Sequence, residues 1–366
     1  MLPVLLKLRI LVRVRPARCT RTFAQYFTIS PNSFIMLARL YSPLAWTTLA
    51  LVFLVILAGA VVRTTASGMG CPDWPKCFGQ YIPPTDISQL PADYKVRFMV
   101  KGKEIADFDA FKTWVEYINR LLGALLGVVI FAICVSSLAF RKTHRINIVL
   151  AASLLVVTGF VGWLGSVVVK TDLEPVKITI HMLTAFVILA LAVLTVHQQR
   201  TQSERLVIAR IQGLPAWVMP LMFASVVLTL LQVMLGTQVR EEIDTIAKTL
   251  EYRWRELWIQ QLSSMFLVHR SLSWLVFMVN AAIAVQLWKT TRSQRSKYAE
   301  YSEYQVLRRA VVIVLAGIFL EICLGITLAY FAMPKAVQPA HLLVASGIFA
   351  AQLFAALEVR FVQQQR

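Results

Sequence analysis

Three histidines lie inside apolar stretches of this chain: His181 in Ile180-His181-Met182, His269 in Val268-His269-Arg270 and His341 in Ala340-His341-Leu342. Where the first half should match His269, it carries Asn119, in Ile118-Asn119-Arg120. A histidine inside an apolar helix is costly unless something uses its ring nitrogens. Two of them facing each other across a helix bundle can hold a haem iron from both sides. His269 and His341 would give the second half a complete pair. Asn119 and His181 would give the first half one ligand and one amide. The plainer reading of each histidine is a hydrogen-bonded core residue. His144, in a basic loop, and His197, at the end of an apolar run, read as solvated.

Other reactive side chains cluster near these positions. Glu116 precedes Asn119 by three residues, which puts both on one helix face, and precedes Arg120 by four. It is therefore either an acid group beside the site or half of a helix-end ion pair. Arg63, Arg120, Arg240 and Arg270 recur near the same helix ends. Each can bind a carboxylate bidentately or extend to the membrane interface. Cys71 and Cys77 stand six apart in a loop rich in Gly and Pro. They can form a structural disulfide, act as a redox pair, or be unrelated thiols. No other Cys or His in that loop completes a zinc site. Cys134, Cys323 and Trp74, Trp114, Trp163 and Trp274 read as packing or interface-belt residues.

The elements that must hold these groups are legible in the composition. The chain has 366 residues, 58% of them hydrophobic, and a mean hydropathy of +0.65, too apolar for an ordinary soluble domain. Apolar runs near 44–62, 115–139, 147–168, 179–197, 215–236, 264–288, 310–331 and 339–359 each approach the ~20 residues a membrane-crossing helix needs. Nothing alternates over ten-residue units as a membrane β-barrel would. The expectation is an all-α polytopic membrane protein with eight transmembrane helices.

The net charge of +18 reflects topology rather than nucleic-acid binding. Basic residues gather after span two (Arg141, Lys142, Arg145), after span six (Lys289, Arg292, Arg295, Lys297, Arg308, Arg309) and at Arg366, while segments 64–112 and 237–262 mix signs. Enrichment of Lys and Arg on the inner side puts both termini in the cytoplasm or its equivalent. Residues 1–43 are arginine-rich and lack acidic residues. They read as a transit peptide, as an over-extended start with Met36 the true beginning, or as a basic arm on anionic lipid.

Spans one to four and five to eight repeat one another. Gly59-Ala60-Val61-Val62-Arg63 matches Gly236-Thr237-Gln238-Val239-Arg240, Asn119-Arg120 matches His269-Arg270, and His181 matches His341. Four spans per unit keep the same in-out order, so the repeat is parallel. It predicts two tandem four-helix bundles, residues 44–198 with the long outer loop 64–112 and residues 214–360, joined by a cytoplasmic linker at 199–213. Each bundle should carry a pocket near its outer end.

Together, the run from Ser67 to Gln80 with its Cys-Pro-Asp-Trp-Pro-Lys-Cys core, the segment Glu116-Tyr117-Ile118-Asn119-Arg120-Leu121-Leu122-Gly123, and His181, His269 and His341 resemble the haem A synthase family over residues 45–360. The resemblance implies an oxidoreductase that converts the C8 methyl of haem O to the formyl of haem A for terminal oxidases. In that family the C-terminal bundle holds cofactor haem b between two histidines, and the N-terminal bundle takes the substrate haem. Carried over by position, His269 and His341 ligate haem b, His181 the substrate haem, Glu116 is the site glutamate, and Cys71 and Cys77 are the outer-loop pair. Arg120 and Arg270 would meet propionates. Asn119 replaces the family's commoner histidine, leaving an open iron position suited to molecular oxygen.

The resemblance also implies partners: a haem O synthase (prenyltransferase), an electron donor such as quinol or a reductase, and membrane lipid, with homo-oligomerisation left open. A bacterial plasma membrane is preferred to the mitochondrial inner membrane. The competing functions are a non-catalytic b-type electron carrier and a haem-binding assembly factor. An electron carrier with two haems would need a complete ligand pair in each half.

Overall fold

The computed structural model describes residues 31–203, 214–294 and 302–364. Most of the expected leader (residues 1–30), residues 204–213 of the expected linker, and Arg295, Lys297 and Arg366 lie outside the described residues. Eight long helices carry the fold: α1 (Pro31–Thr64), α2 (Ala110–Ser137), α3 (Arg145–Lys170), α4 (Pro175–Ser203), α5 (Val218–Thr249), α6 (Ser264–Gln294), α7 (Ser302–Tyr330) and α8 (Val337–Gln364). All eight are long and apolar enough to cross a membrane. Among the described residues there is no strand, only two isolated bridges in the long loop.

The helices close into two rings of four. In the first, α1 packs on α2, α2 on α3, α3 on α4 and α4 back on α1; α5 to α8 repeat the pattern. The rings meet through α4 against α8, α1 against α8 and α4 against α5. These are the pairings expected of a tandem parallel repeat about an axis along the helices. The largest apolar cluster crosses the junction, joining Val52, Ile130, Leu154 and Leu189 of the first ring to Val226, Val233 and Phe349 of the second. Phe186 and Phe349 meet edge to face there at 5.3 Å.

Large apolar side chains also cover the outside. Val128, Val156, Trp163, Met278 and Phe319 are exposed, Phe319 by 68%. A soluble monomer seldom presents such a surface, and here it runs along every helix that faces away from the rings. Helices apolar on all sides, with a minority of residues buried, are built for lipid. The chain is a multi-pass membrane protein.

Two helices run further than the hydropathy suggests. The first begins at Pro31, so residues 31–43 belong to α1; Tyr41, Ala45, Thr48, Val52 and Ile56 form its buried stripe. The fifth continues past residue 236 to Thr249, inside a segment whose mixed charges suggested loop. Val239, Ile243 and Ala247 recur at helical spacing and pack with Trp258 and Met333. A further correction concerns His197. It is buried, its ring against Phe354 at 5.8 Å and its Nε2 3.8 Å from Glu358, rather than solvated. The end of the inter-ring seam where α4 and α8 finish encloses it, and tertiary packing of that kind leaves no trace in local hydropathy.

Candidate functional site

All four candidate positions sit at the same level of the rings, and each faces a glycine on the preceding helix. A Cβ placed at Gly59 of α1 would lie 3.9 Å from Asn119 Oδ1 on α2. At Gly165 of α3 it would lie 3.4 Å from His181 Cε1 on α4. At Gly236 of α5 and Gly325 of α7 it would lie 3.1 and 3.6 Å from the Cε1 atoms of His269 and His341, on α6 and α8. Lacking Cβ, glycine lets a ring from the neighbouring helix lie against the backbone. These glycines escaped notice as site residues, although Gly59 and Gly236 stand in the repeated segments and a comparison of the two halves would have exposed the other two.

Burial leaves the polar atoms of these side chains without protein partners. Asn119 Oδ1, His181 Nδ1 and His269 Nδ1 are enclosed and accept or donate no hydrogen bond within the protein. Buried polar atoms are ordinarily satisfied, so orphaned ones point to a missing ligand. On the second ring, Gln232 Nε2 donates to the His269 carbonyl at 2.9 Å, and Glu321 Oε1 approaches His341 Nδ1 to 3.1 Å without hydrogen-bond alignment. Histidines seated on glycine, unsatisfied and walled by apolar helices, fit a haem. His269 and His341 could supply two nitrogens for one iron and His181 one, whereas Asn119 is a poor iron ligand.

Glu116 takes a different surrounding from that of Asn119. Its Oε1 meets Arg120 at 2.5 Å and its Oε2 accepts from Cys71 N at 2.8 Å. Arg120 in turn donates to the carbonyls of Cys71 (2.8 Å), Asp73 (2.6 Å) and Lys76 (3.0 Å). Thr113 Oγ1 donates to Gly70 O at 2.9 Å and Tyr117 to Tyr81 O at 2.6 Å. Residues 113, 116, 117 and 120 share one face of α2, and that face carries the long loop. Arg120 is thus occupied by loop carbonyls. Arg270 is exposed and lies over Phe266 at 5.8 Å.

The loop itself is a small folded unit. Cys71 and Cys77 are joined as a disulfide with 4.7 Å between their Cα atoms, and both are fully buried. Phe78 packs edge to face with Tyr94, Phe98 and Phe108. Asp73 accepts from the N–H groups of Phe78 (2.6 Å) and Gly79 (2.8 Å), holding a turn in which Gly79 takes φ +76°. Gly70 runs so close to α2 that a Cβ there would lie 2.4 Å from Lys112 O.

Arg63 and Arg240, equivalent in the two halves, converge on one carboxylate. Asp244 lies 3.1 Å from Arg63 and 2.8 Å from Arg240, and Arg240 also donates to Gln338 at 2.6 Å. This bridges the rings at the end that carries the disulfide loop.

Comparison with known proteins is consistent with this geometry. Residues 42–353 match the profile of the COX15-CtaA family, described as cytochrome oxidase assembly protein. A heme A synthase of Shewanella oneidensis is 31% identical over 191 residues, 52% of this chain and 53% of that protein. One from Bartonella tribocorum is 25% identical over 208 residues, 52% and 55% of the two chains. Another from Nitrosomonas eutropha is 31% identical over 160 residues, 38% and 43%. The chain spans about half the length of the curated relatives it matches.

Proposed function

The chain belongs to the COX15-CtaA family of cytochrome oxidase assembly proteins, and on that premise we propose that it is a haem A synthase. It would oxidise the C8 methyl of haem O to a formyl group, drawing oxygen from molecular oxygen or water and electrons from a membrane donor such as quinol or a reductase. The observation that carries this reading is the fourfold pairing of a glycine with a half-buried His or Asn, with three histidines and one asparagine among the four.

The two sites would divide the work. His269 and His341 would hold haem b, which supplies one-electron transfer when bound between two histidines. His181 would hold the substrate haem from one side. Asn119, opposite and non-ligating, would leave the other side accessible and offer its amide as a hydrogen-bond donor or acceptor. Apolar walls on α1 to α4 would exclude bulk water and orient the flat substrate.

Glu116 is anchored through Arg120 and Cys71, so it would act where α2 meets the disulfide loop, holding or moving a proton at that edge of the pocket. Arg270 would pair with a haem carboxylate. Supply of substrate would fall to a haem O-forming prenyltransferase, in the plasma membrane of a bacterium with both chain termini inside.

Expression beside a haem O synthase, followed by chromatography of the extracted haems, tests the activity. Haem A formed only when this chain is present supports it; haem O alone points to a carrier or assembly factor. Glu116→Gln that still converts all haem O would remove the catalytic role of that carboxylate.

A further inference from the structure

Glu321 lies within the apolar span of α7, where a carboxylate is expensive unless something uses it. Its Oε1 is 3.1 Å from His341 Nδ1, and its Oε2 is buried with no hydrogen-bond partner. The side chain is 20% exposed, that of His341 26%. Four residues along α7, Gly325 seats the same imidazole at Cε1, the ring atom next to Nδ1. Glu321 and Gly325 thus border the Nδ1–Cε1 edge of His341, with the carboxylate close to Nδ1 but not aligned as a hydrogen bond, and leave Nε2 as its remaining nitrogen.

The internal repeat supplies a comparison. Gly165 seats His181 as Gly325 seats His341, so the residue equivalent to Glu321 lies four before Gly165 and is Val161. The carboxylate is therefore special to the ring with the complete histidine pair. Packing alone gives no reason for the difference, since Val161 serves in the first ring.

Resting on the haem b reading above, we propose that Glu321 is a positioning residue for that site, accepting from His341 Nδ1–H once Nε2 is ligated and making it a more electron-rich ligand than His269. A carboxylate accepting from the far nitrogen of a metal-bound imidazole sets its tautomer and raises its basicity. A more basic ligand stabilises the oxidised metal, so Glu321 keeps the haem b potential low. Neither His269 Nδ1 nor His341 Nδ1 makes an aligned hydrogen bond within the protein, but among the described residues a carboxylate lies beside His341 alone, and His269 is held only through its carbonyl by Gln232. The asymmetry would make haem b a better reductant toward the substrate ring.

The test is a redox titration of the purified full-length protein, followed by absorbance, with ferric low-spin EPR on the same samples. Glu321→Gln should retain haem and shift the midpoint upward by about the equivalent of a tenfold change in the reduced-to-oxidised ratio, ~59 mV for one electron. Its EPR g-spread should move toward that of neutral bis-imidazole. Glu321→Asp should stay closer to wild type than Glu321→Ala in both measurements. An unchanged midpoint and spectrum in Glu321→Gln at full haem content overturns the proposal. If haem is lost, restoration by Glu321→Asp supports the role, and equal loss in Gln, Asp and Ala variants refutes it in favour of packing. Wild-type protein without a bis-histidine haem signal overturns the haem b assignment and this inference with it.

Discussion

Asn119 and the four glycines are where single side chains decide the chemistry. On the proposed function, Asn119→His should add a ligand opposite His181 and close the iron position that the asparagine would leave open. The expected result is a second bis-histidine haem spectrum with conversion of haem O strongly reduced, read by difference spectra and haem chromatography. Conversion at the wild-type level with a closed pair would show that the open position is not needed. The glycines offer a graded test of the seats. A methyl at Gly236 would press on His269 at 3.1 Å, tighter than ordinary contact, whereas one at Gly325 meets His341 at 3.6 Å. Gly236→Ala should weaken the proposed haem b binding by roughly tenfold, the loss typical when a contact supporting a metal ligand is disturbed. Gly325→Ala should leave haem content close to wild type, as measured by pyridine haemochrome per protein.

At the scale of elements, α2 does two jobs with two faces. Asn119 faces α1, while Thr113, Glu116, Tyr117 and Arg120 clasp the disulfide loop. Arg120 binds three loop carbonyls besides Glu116, each a charge-assisted bond of ~1.5–3 kcal/mol in typical surroundings. Arg120→Ala should free the loop and leave the Glu116 carboxylate without its counter-charge. Faster limited proteolysis at Lys76 or Lys95 is the expected outcome, with the helical core intact; resistance equal to wild type would mean the disulfide and the Phe78 cluster hold the loop alone. Gly70→Ala should have a similar effect by a different route, because its Cβ would collide with the α2 backbone rather than with a flexible side chain.

The whole molecule is two rings held along one seam. Apolar packing of α4 on α8 supplies its centre, Arg200 meets Glu358 at 2.9 Å near one end, and Asp244 ties Arg63 to Arg240 at the other. Asp244 is 34% exposed, so the tie is partly screened, and Asp244→Asn should cost only about 1 kcal/mol. Thermal unfolding in detergent should show the loss shrink as salt rises. A salt-independent loss would indicate that the aspartate acts through packing instead. Coupling of the rings matters to the proposed function, because an electron carried in one ring must serve chemistry in the other.

Hydropathy and internal repetition were enough to place eight spans, the two-bundle division and the four equivalent positions. Lipid demands long unbroken apolar runs, and a duplicated pocket repeats its own side chains, so both signals are local in the chain. The start of α1 and the end of α5 were less legible, because Ser42 and Pro43 break the stripe at Tyr41–Ala45 and charged residues from Arg240 to Asp244 break the one at Val239–Ile243–Ala247. The partners of each site residue were not legible at all. Glu116 could be read as a pocket acid or as an ion pair, and only the fold of the loop back onto α2 brings Cys71 N and the Arg120 guanidinium to it. Glu321 is a lone charge in an apolar run, and only the packing of α7 on α8 brings it to His341. Residue type and spacing determined what chemistry was available; which atoms meet was decided by contacts between distant segments, which no local pattern encodes.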